Sequence, residues 1–213
     1  MATSSNSEIE NGVLDESIIE DMGVITQEFD NIELEIAKQH VKALKPIYEK
    51  RRNVLKRIPK FWSQVVGITL MKQVLIGQYL DNDDYSVVQY INDVTIEMDE
   101  NTSENFKIIL SFSDNEYFKN KELIKEFIVD ADGQRMIKST TIEWFEGRDY
   151  TKKHKIDEDD DLSFIKWFSE ESTDESSWDL GRIFKDDLYP QAWTIYNTEE
   201  DEYEEFESEE GLE

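Results

Sequence analysis

No cysteine occurs in the 213 residues, so neither a disulfide framework nor a thiolate metal site can form. Histidine is nearly absent too. His40 and His154 stand far apart, each beside Gln or Lys, and offer neither a zinc cluster nor an imidazole relay. The eight glycines include none spaced as a phosphate-cradling loop or a nucleophile elbow. The longest apolar run, Phe61 to Ile76, is broken by Ser63, Gln64, Lys72 and Gln73 and is too short to span a bilayer. The opening residues show neither the basic region nor the apolar stretch of a secretory signal. These shortages predict a soluble, intracellular chain with no cofactor, no metal and no catalytic role. The run Asp157 to Asp161 lacks the glycine and spaced glutamate of a calcium loop, and reads as a solvated turn.

Positive charge is the remaining shortage. Against 50 Asp and Glu stand 23 Lys and Arg, a net charge of −27. A nucleic-acid binder must neutralise phosphates with clustered cations, so this balance argues against specific nucleic-acid binding and points to polycationic partners. The charge is also segregated. From Met1 to Ala37 there are ten acids and no base, and from Glu199 to Glu213 ten acids and again no base. Both ends read as solvated polyanions, with disorder expected over 1–24 and 199–213. Between Ile36 and Lys72 the sign reverses, with ten bases against Glu49 alone.

What is present is periodicity. Ile25, Phe29, Ile32, Ile36, Ala43, Leu44, Ile47, Val54 and Ile58 recur at helical intervals and predict a long amphipathic helix over 25–60. Such a helix runs about 50 Å, longer than a small domain is wide, so part of its stripe needs a second helix. The same helix of a second subunit, parallel or antiparallel about a two-fold axis, is the economical partner. Pro46 predicts a kink or a break, and Pro59 the end of the helix. Beyond it a buried helix is expected from Phe61 to Ile76 and a short one from Asp83 to Ile91. Alternation at Val94, Ile96 and Met98, and at Phe106 to Phe112, predicts strands. A second pair, Leu123 to Asp130 and Met136 to Trp144, flanks an Asp-Gly turn at Asp132-Gly133. Apolar helices resume at Phe164 to Phe168 and Leu180 to Leu188. The class is α+β: a four-stranded antiparallel sheet with helices over one face.

Several segments carry a family likeness: KPIYEKRRNVLKRIPKFW from Lys45, YFKNKELIKEF from Tyr117, STTIEW from Ser139, and SFIKWF with LGRIFKDDLYP between Ser163 and Pro190. In order and spacing they resemble the nucleosome assembly protein (NAP) family of histone chaperones, specifically its SET branch. The resemblance implies a NAP-like fold, with a long dimerisation helix joined to an earmuff domain spanning 61–198. In the family's long helix a proline stands where Pro46 does, which favours a continuous helix. The resemblance also implies a homodimer seated on Ile25, Phe29, Ile32, Ile36, Ala43, Leu44 and Ile47, working in the nucleus with some shuttling to the cytoplasm. Core histones are the implied partners, bound without ATP on the earmuff underside. Motif matching places Ser169, Glu170 and Asp179 there. Glu171, Asp174 and Glu175 are read as added acids that compensate for Lys166 and Trp178, which stand where the family often has small polar or acidic residues. The tail, with Glu199, Glu200, Asp201 and Glu202, is expected to add a salt-sensitive contribution. An alternative makes the chain a regulatory subunit of a chromatin enzyme such as a histone acetyltransferase or a phosphatase. The basic stretch Lys50, Arg51, Arg52, Lys56, Arg57 and Lys60 reads as the polar face of the helix, held by acids of the dimer, ahead of a DNA-touching patch.

Overall fold

A computed structural model describes residues 15–72, 82–102, 104–130, 132–152, 163–171 and 174–198. Helix α1 spans Glu16–Leu55, forty residues and about 60 Å of axis. It starts nine residues before the expected Ile25. Asp15 caps it, its carboxylate accepting from the Ser17 amide at 3.1 Å, and Ile18, Ile19 and Met22 extend the apolar stripe into the first turns. Pro46 lies inside and does not break the helix. The helix stops at Leu55, short of Pro59. A residue preceding proline is pushed out of the helical region, and Lys60 follows in the left-handed region at φ 58°. Leu55 is the one residue of α1 buried in the body.

Helices α2 (Phe61–Lys72) and α3 (Asn82–Val88) follow, then four strands in sequential antiparallel order: β1 (Ile91–Met98), β2 (Phe106–Phe112), β3 (Glu122–Val129) and β4 (Arg135–Ser139). The β3–β4 turn is closed by Asp130, whose carboxylate accepts from the amides of Asp132 and Gln134, and Gly133 supplies the positive φ, 75°, that the turn requires. Strand β4 ends five residues before the expected Trp144. At Thr140 the hydroxyl takes over the acceptor role, receiving the Ile124 amide at 3.0 Å. Trp144 rejoins only as an isolated bridge to Phe118.

The register stacks inward residues into rows across the sheet: Val94–Leu110–Leu123, Ile96–Ile108–Lys125 and Met98–Phe106–Phe127–Ile137. The other face carries cross-strand pairs such as Lys107 opposite Glu126 and Ile109 opposite Ile124, none fully buried. Onto the inward face pack α2, α4 (Phe164–Ser169) and α5 (Glu175–Arg182). Helix α5 continues through a π-helical stretch, Ile183–Leu188, and on to 198. The contact is close. Phe106 and Phe127 stack at 4.4 Å with Trp178 edge-on to both, and a Cβ on Gly181 would run into the Phe127 ring.

Candidate functional site

Glu170, Glu171, Asp174, Glu175 and Asp179 lie at the end of α4 and along the start of α5, and two buried charges hold α4 in place. Asp84 of α3 is fully buried and accepts at least four hydrogen bonds. They come from the amides of Phe164 (2.7 Å) and Ile165 (3.1 Å), the Ser163 hydroxyl (2.8 Å) and the Tyr150 hydroxyl (3.0 Å). It thereby caps the N-terminus of α4 from outside the helix, alongside the local cap of Ser163. At the other end stands Lys125 of β3, also fully buried. Its ammonium donates to the carbonyls of Trp167 (2.7 Å) and Glu170 (2.6 Å) and to the Ser139 hydroxyl (3.1 Å). A carboxylate at the N-terminus and an ammonium at the C-terminus match the helix dipole. Burial pushes the Lys125 pKa down to about 8, against the opposing pull of Glu170, Asp174 and Glu171. Neither residue was singled out from sequence. Lys125 left a signal, a lysine at an inward position between Leu123 and Phe127, whereas Asp84 left none.

On this clamped segment Glu170 and Glu171 are exposed and Ser169 is half-buried. Asp174 is exposed and also serves as the N-cap of α5, accepting from the Ser177 amide at 2.7 Å. Glu175 and Asp179 are exposed but engaged within the chain. Glu175 pairs with Arg135 and Arg182, and Asp179 with Arg182 at 3.1 Å. The sequence therefore overstated the free negative charge of α5. Trp178 needs correction: it is a core residue, 2% exposed, so it removes no acid from the surface. Lys166 is half-buried on α4. Glu199, Glu200, Asp201 and Glu202 lie outside the described residues, as does the run Asp157 to Asp161.

Along α1, Ile25, Phe29, Ile32, Ile36, Ala43 and Ile47 are exposed, Phe29 by 63% and Ile36 by 61%, while Leu44 is half-buried. The basic stretch at the end of this helix is largely used within the chain. Arg52 donates to Asp93 of β1 at 2.6 Å, and Lys56 reaches the same carboxylate at 3.6 Å. Arg51 lies between the rings of Tyr48 and Tyr189, 4.7 and 4.5 Å from their centres, and donates to the Pro190 carbonyl at 3.0 Å. Lys50, Arg57 and Lys60 remain exposed. Among the described residues no group of three metal-ligating side chains converges, and no helix is long and apolar enough to cross a membrane.

The nucleosome assembly protein (NAP) family model matches residues 53–199, more than half of the sequence, and the chain belongs to that family. NAP1-related protein 2 of Oryza sativa subsp. indica is 26% identical over 209 residues, covering 92% of this chain and 80% of that protein. Protein SET of Drosophila melanogaster is 28% identical over 177 residues, covering 76% of this chain and 64% of its own. Among solved structures, a Ccp1 mutant superposes with a TM-score of 0.73 at 24% identity, covering 89% of this chain and 98% of that one. The Vps75 histone chaperone superposes with a TM-score of 0.66 at 19% identity, covering 85% and 98%. These superpositions establish a shared fold: a long N-terminal helix leading into a four-stranded antiparallel sheet covered by helices.

Proposed function

We propose that this chain is a homodimeric histone chaperone that binds core histones without ATP, on the acidic turn between α4 and α5, and works in the nucleus. The observation that carries this reading is the anchoring of the acids at the end of α4 and the start of α5. The Glu170 carbonyl is held from beneath by Lys125 with Glu171 next in the chain, α4 is capped by Asp84, and Asp174 is itself the N-cap of α5. A carboxylate array that is already ordered loses less entropy on binding than a flexible polyanion. The name of Vps75, whose fold this chain shares, supports the same reading. Shielding histone cations blocks wrong contacts with DNA, and release follows when the nucleosomal geometry binds them more tightly.

The dimer rests on α1. Between Glu16 and Glu35 the helix holds seven acids and no base; between Ile36 and Leu55 it holds six bases and one acid. A parallel pair would set acidic half on acidic half. An antiparallel pair sets each acidic half along the partner's basic half, a far better electrostatic match. The helix midpoint falls between Glu35 and Ile36. A two-fold axis at Ile36 therefore overlaps the helices along their full length, with Ile18 facing Val54, Ile25 facing Ile47 and Phe29 facing the small Ala43 of the partner. With Arg51, Arg52 and Lys56 engaged by the chain's own residues, the basic stretch serves as helix-to-body attachment in preference to a DNA contact.

The test is a plasmid supercoiling assay with core histones at physiological salt and no nucleotide. The protein should promote deposition, and a variant with Glu170, Glu171, Asp174 and Asp179 all changed to their amides should lose more of it than one with four tail acids neutralised. Equal losses would reduce the activity to net charge.

A further inference from the structure

Beside the acidic turn lies a hollow of ≈ 350 Å³ between the end of the sheet and α5. Its walls carry Arg135, Arg182 and Lys185, with Glu104 at one side and Phe106 and Trp178 as apolar floor. In a chain of net charge −27 three converging cations are out of character and call for a reason. Two of them stand over the floor. The Arg135 guanidinium lies 5.2 Å from the Trp178 ring centre, and the Lys185 ammonium 5.1 Å from that of Phe106. Such stacking fixes their positions in advance of any ligand.

The donors here are only partly used. Among the described residues, the Arg182 bonds to Glu175 and Asp179 both leave through Nη1, and Arg135 bonds Glu175 through Nη1 alone. A guanidinium has five N–H donors, so Nη2 and Nε of both remain for another acceptor. Lys185 reaches only its sequence neighbour Asp186, at 3.4 Å. The indole Nε1 of Trp178 is buried with no acceptor, although the residue lines the hollow. Glu175 already shows that a carboxylate fits between Arg135 and Arg182.

We infer that this hollow receives a carboxylate of the bound basic protein, an Asp or Glu flanked on that protein's surface by the Lys and Arg that meet Glu170, Glu171 and Asp174. The occupant follows from the charge around the site. Glu104, Glu175, Asp179 and Asp186 stand against the three cations, so a free anion or an all-acidic peptide gains little on entering. A carboxylate delivered together with cations gains on both halves of the surface. The inference rests on the proposed histone binding and gives it a source of specificity: a uniform polycation satisfies the acidic turn and leaves the hollow empty.

This predicts opposite signs from one pair of substitutions. Arg182→Gln with Lys185→Gln makes the chain more acidic, releases Asp179 and leaves Glu175 to Arg135 alone, so simple electrostatics would tighten every polycation. The test is equilibrium binding of fluorescent core-histone pairs and of fluorescent polylysine to the full dimeric chain at physiological salt, with circular dichroism to confirm folding. The inference expects roughly tenfold weaker binding of the histone pair and unchanged or tighter binding of polylysine, a tenfold change being about 1.4 kcal/mol. Tighter binding of both ligands by the variant overturns the inference and leaves the chaperone reading standing. If the unaltered chain fails to prefer histones over polylysine, the chaperone reading itself falls. A single Lys185→Gln variant, which leaves both ion pairs of Arg182 in place, repeats the comparison should the double variant fold poorly.

Discussion

Helices α1 and α4 sit at opposite extremes of how a helix is stabilised. The first runs forty residues and buries one of them; the second runs six and buries Phe164, Ile165, Trp167 and Phe168. A six-residue helix has no standing of its own in water. It persists because the sheet and α5 cover it and because charges from elsewhere in the fold cap both its ends. Helix α1 has length and a capped start, yet its apolar stripe from Ile18 to Ile47 faces outward. One helix is completed inside the subunit; the other, in the proposed dimer, is completed across a two-fold axis. The contrast fits the proposed roles, in which α1 joins subunits and α4 leads into the histone-binding surface.

The largest effect expected is on α1. Replacing Ile32 and Ile36 together by glutamate puts charge into the apolar seam at the proposed two-fold axis, where the acid at position 36 would also meet its own copy. Light scattering should then give the monomer mass. A variant that stays dimeric would break the contrast between the two helices.

The corresponding change for α4 is Asp84→Ala, which strips the acceptor from two amides and two hydroxyls at a fully buried site. A loss of about 3 kcal/mol or more is expected, seen as a fall of roughly 6–12 °C in Tm with the dimer mass unchanged. A smaller effect, about 1–3 kcal/mol by chemical denaturation, should follow Gly181→Ala, since the added methyl meets the Phe127 ring.

Lys125 sharpens the comparison through pH. Its folded-state pKa of about 8 lies below its ordinary 10.5, so between these values the unfolded chain holds the extra proton. Stability therefore rises with pH across that window, and below it the cost of the buried charge is constant. Relative to Lys125→Met, the unaltered chain should gain on the order of 3 kcal/mol between pH 8 and 10.5 in urea titrations. Equal slopes for the two proteins would mean that the ammonium is well solvated. At the bottom of the scale, Glu100→Gln removes an exposed partner of Lys45 and should leave the melting temperature where it was.

Much of this architecture was legible in advance, and the exceptions have physical causes. The strands announced themselves because alternation at Phe106, Ile108, Leu110 and Phe112 admits few other readings. The start of α1 was placed late although Ile18 and Met22 continue the four-and-three spacing of Ile25, Phe29, Ile32 and Ile36, because acids without a single base made this end read as a solvated polyanion. Strand β4 ended early because Thr140 substitutes its side chain for the backbone. The acids of the α4–α5 turn were visible as residues, but their status was not. Whether Glu175 is free depends on Arg135, forty positions away, and no local pattern reports an ion pair of that separation. Trp178 was misplaced for the same reason: its burial is decided by Phe106 and Phe127 on a different layer.

The most direct test of the central claim is a fluorescence titration of core-histone pairs with the full chain at physiological salt, with polylysine as the control and DNA as competitor. A dimeric, ordered carboxylate surface predicts nanomolar binding of a histone pair, clearly tighter than polylysine and able to withstand DNA. Binding no tighter than polylysine would contradict it, reducing the chain to a polyanion and shifting its function toward the regulation of a chromatin enzyme.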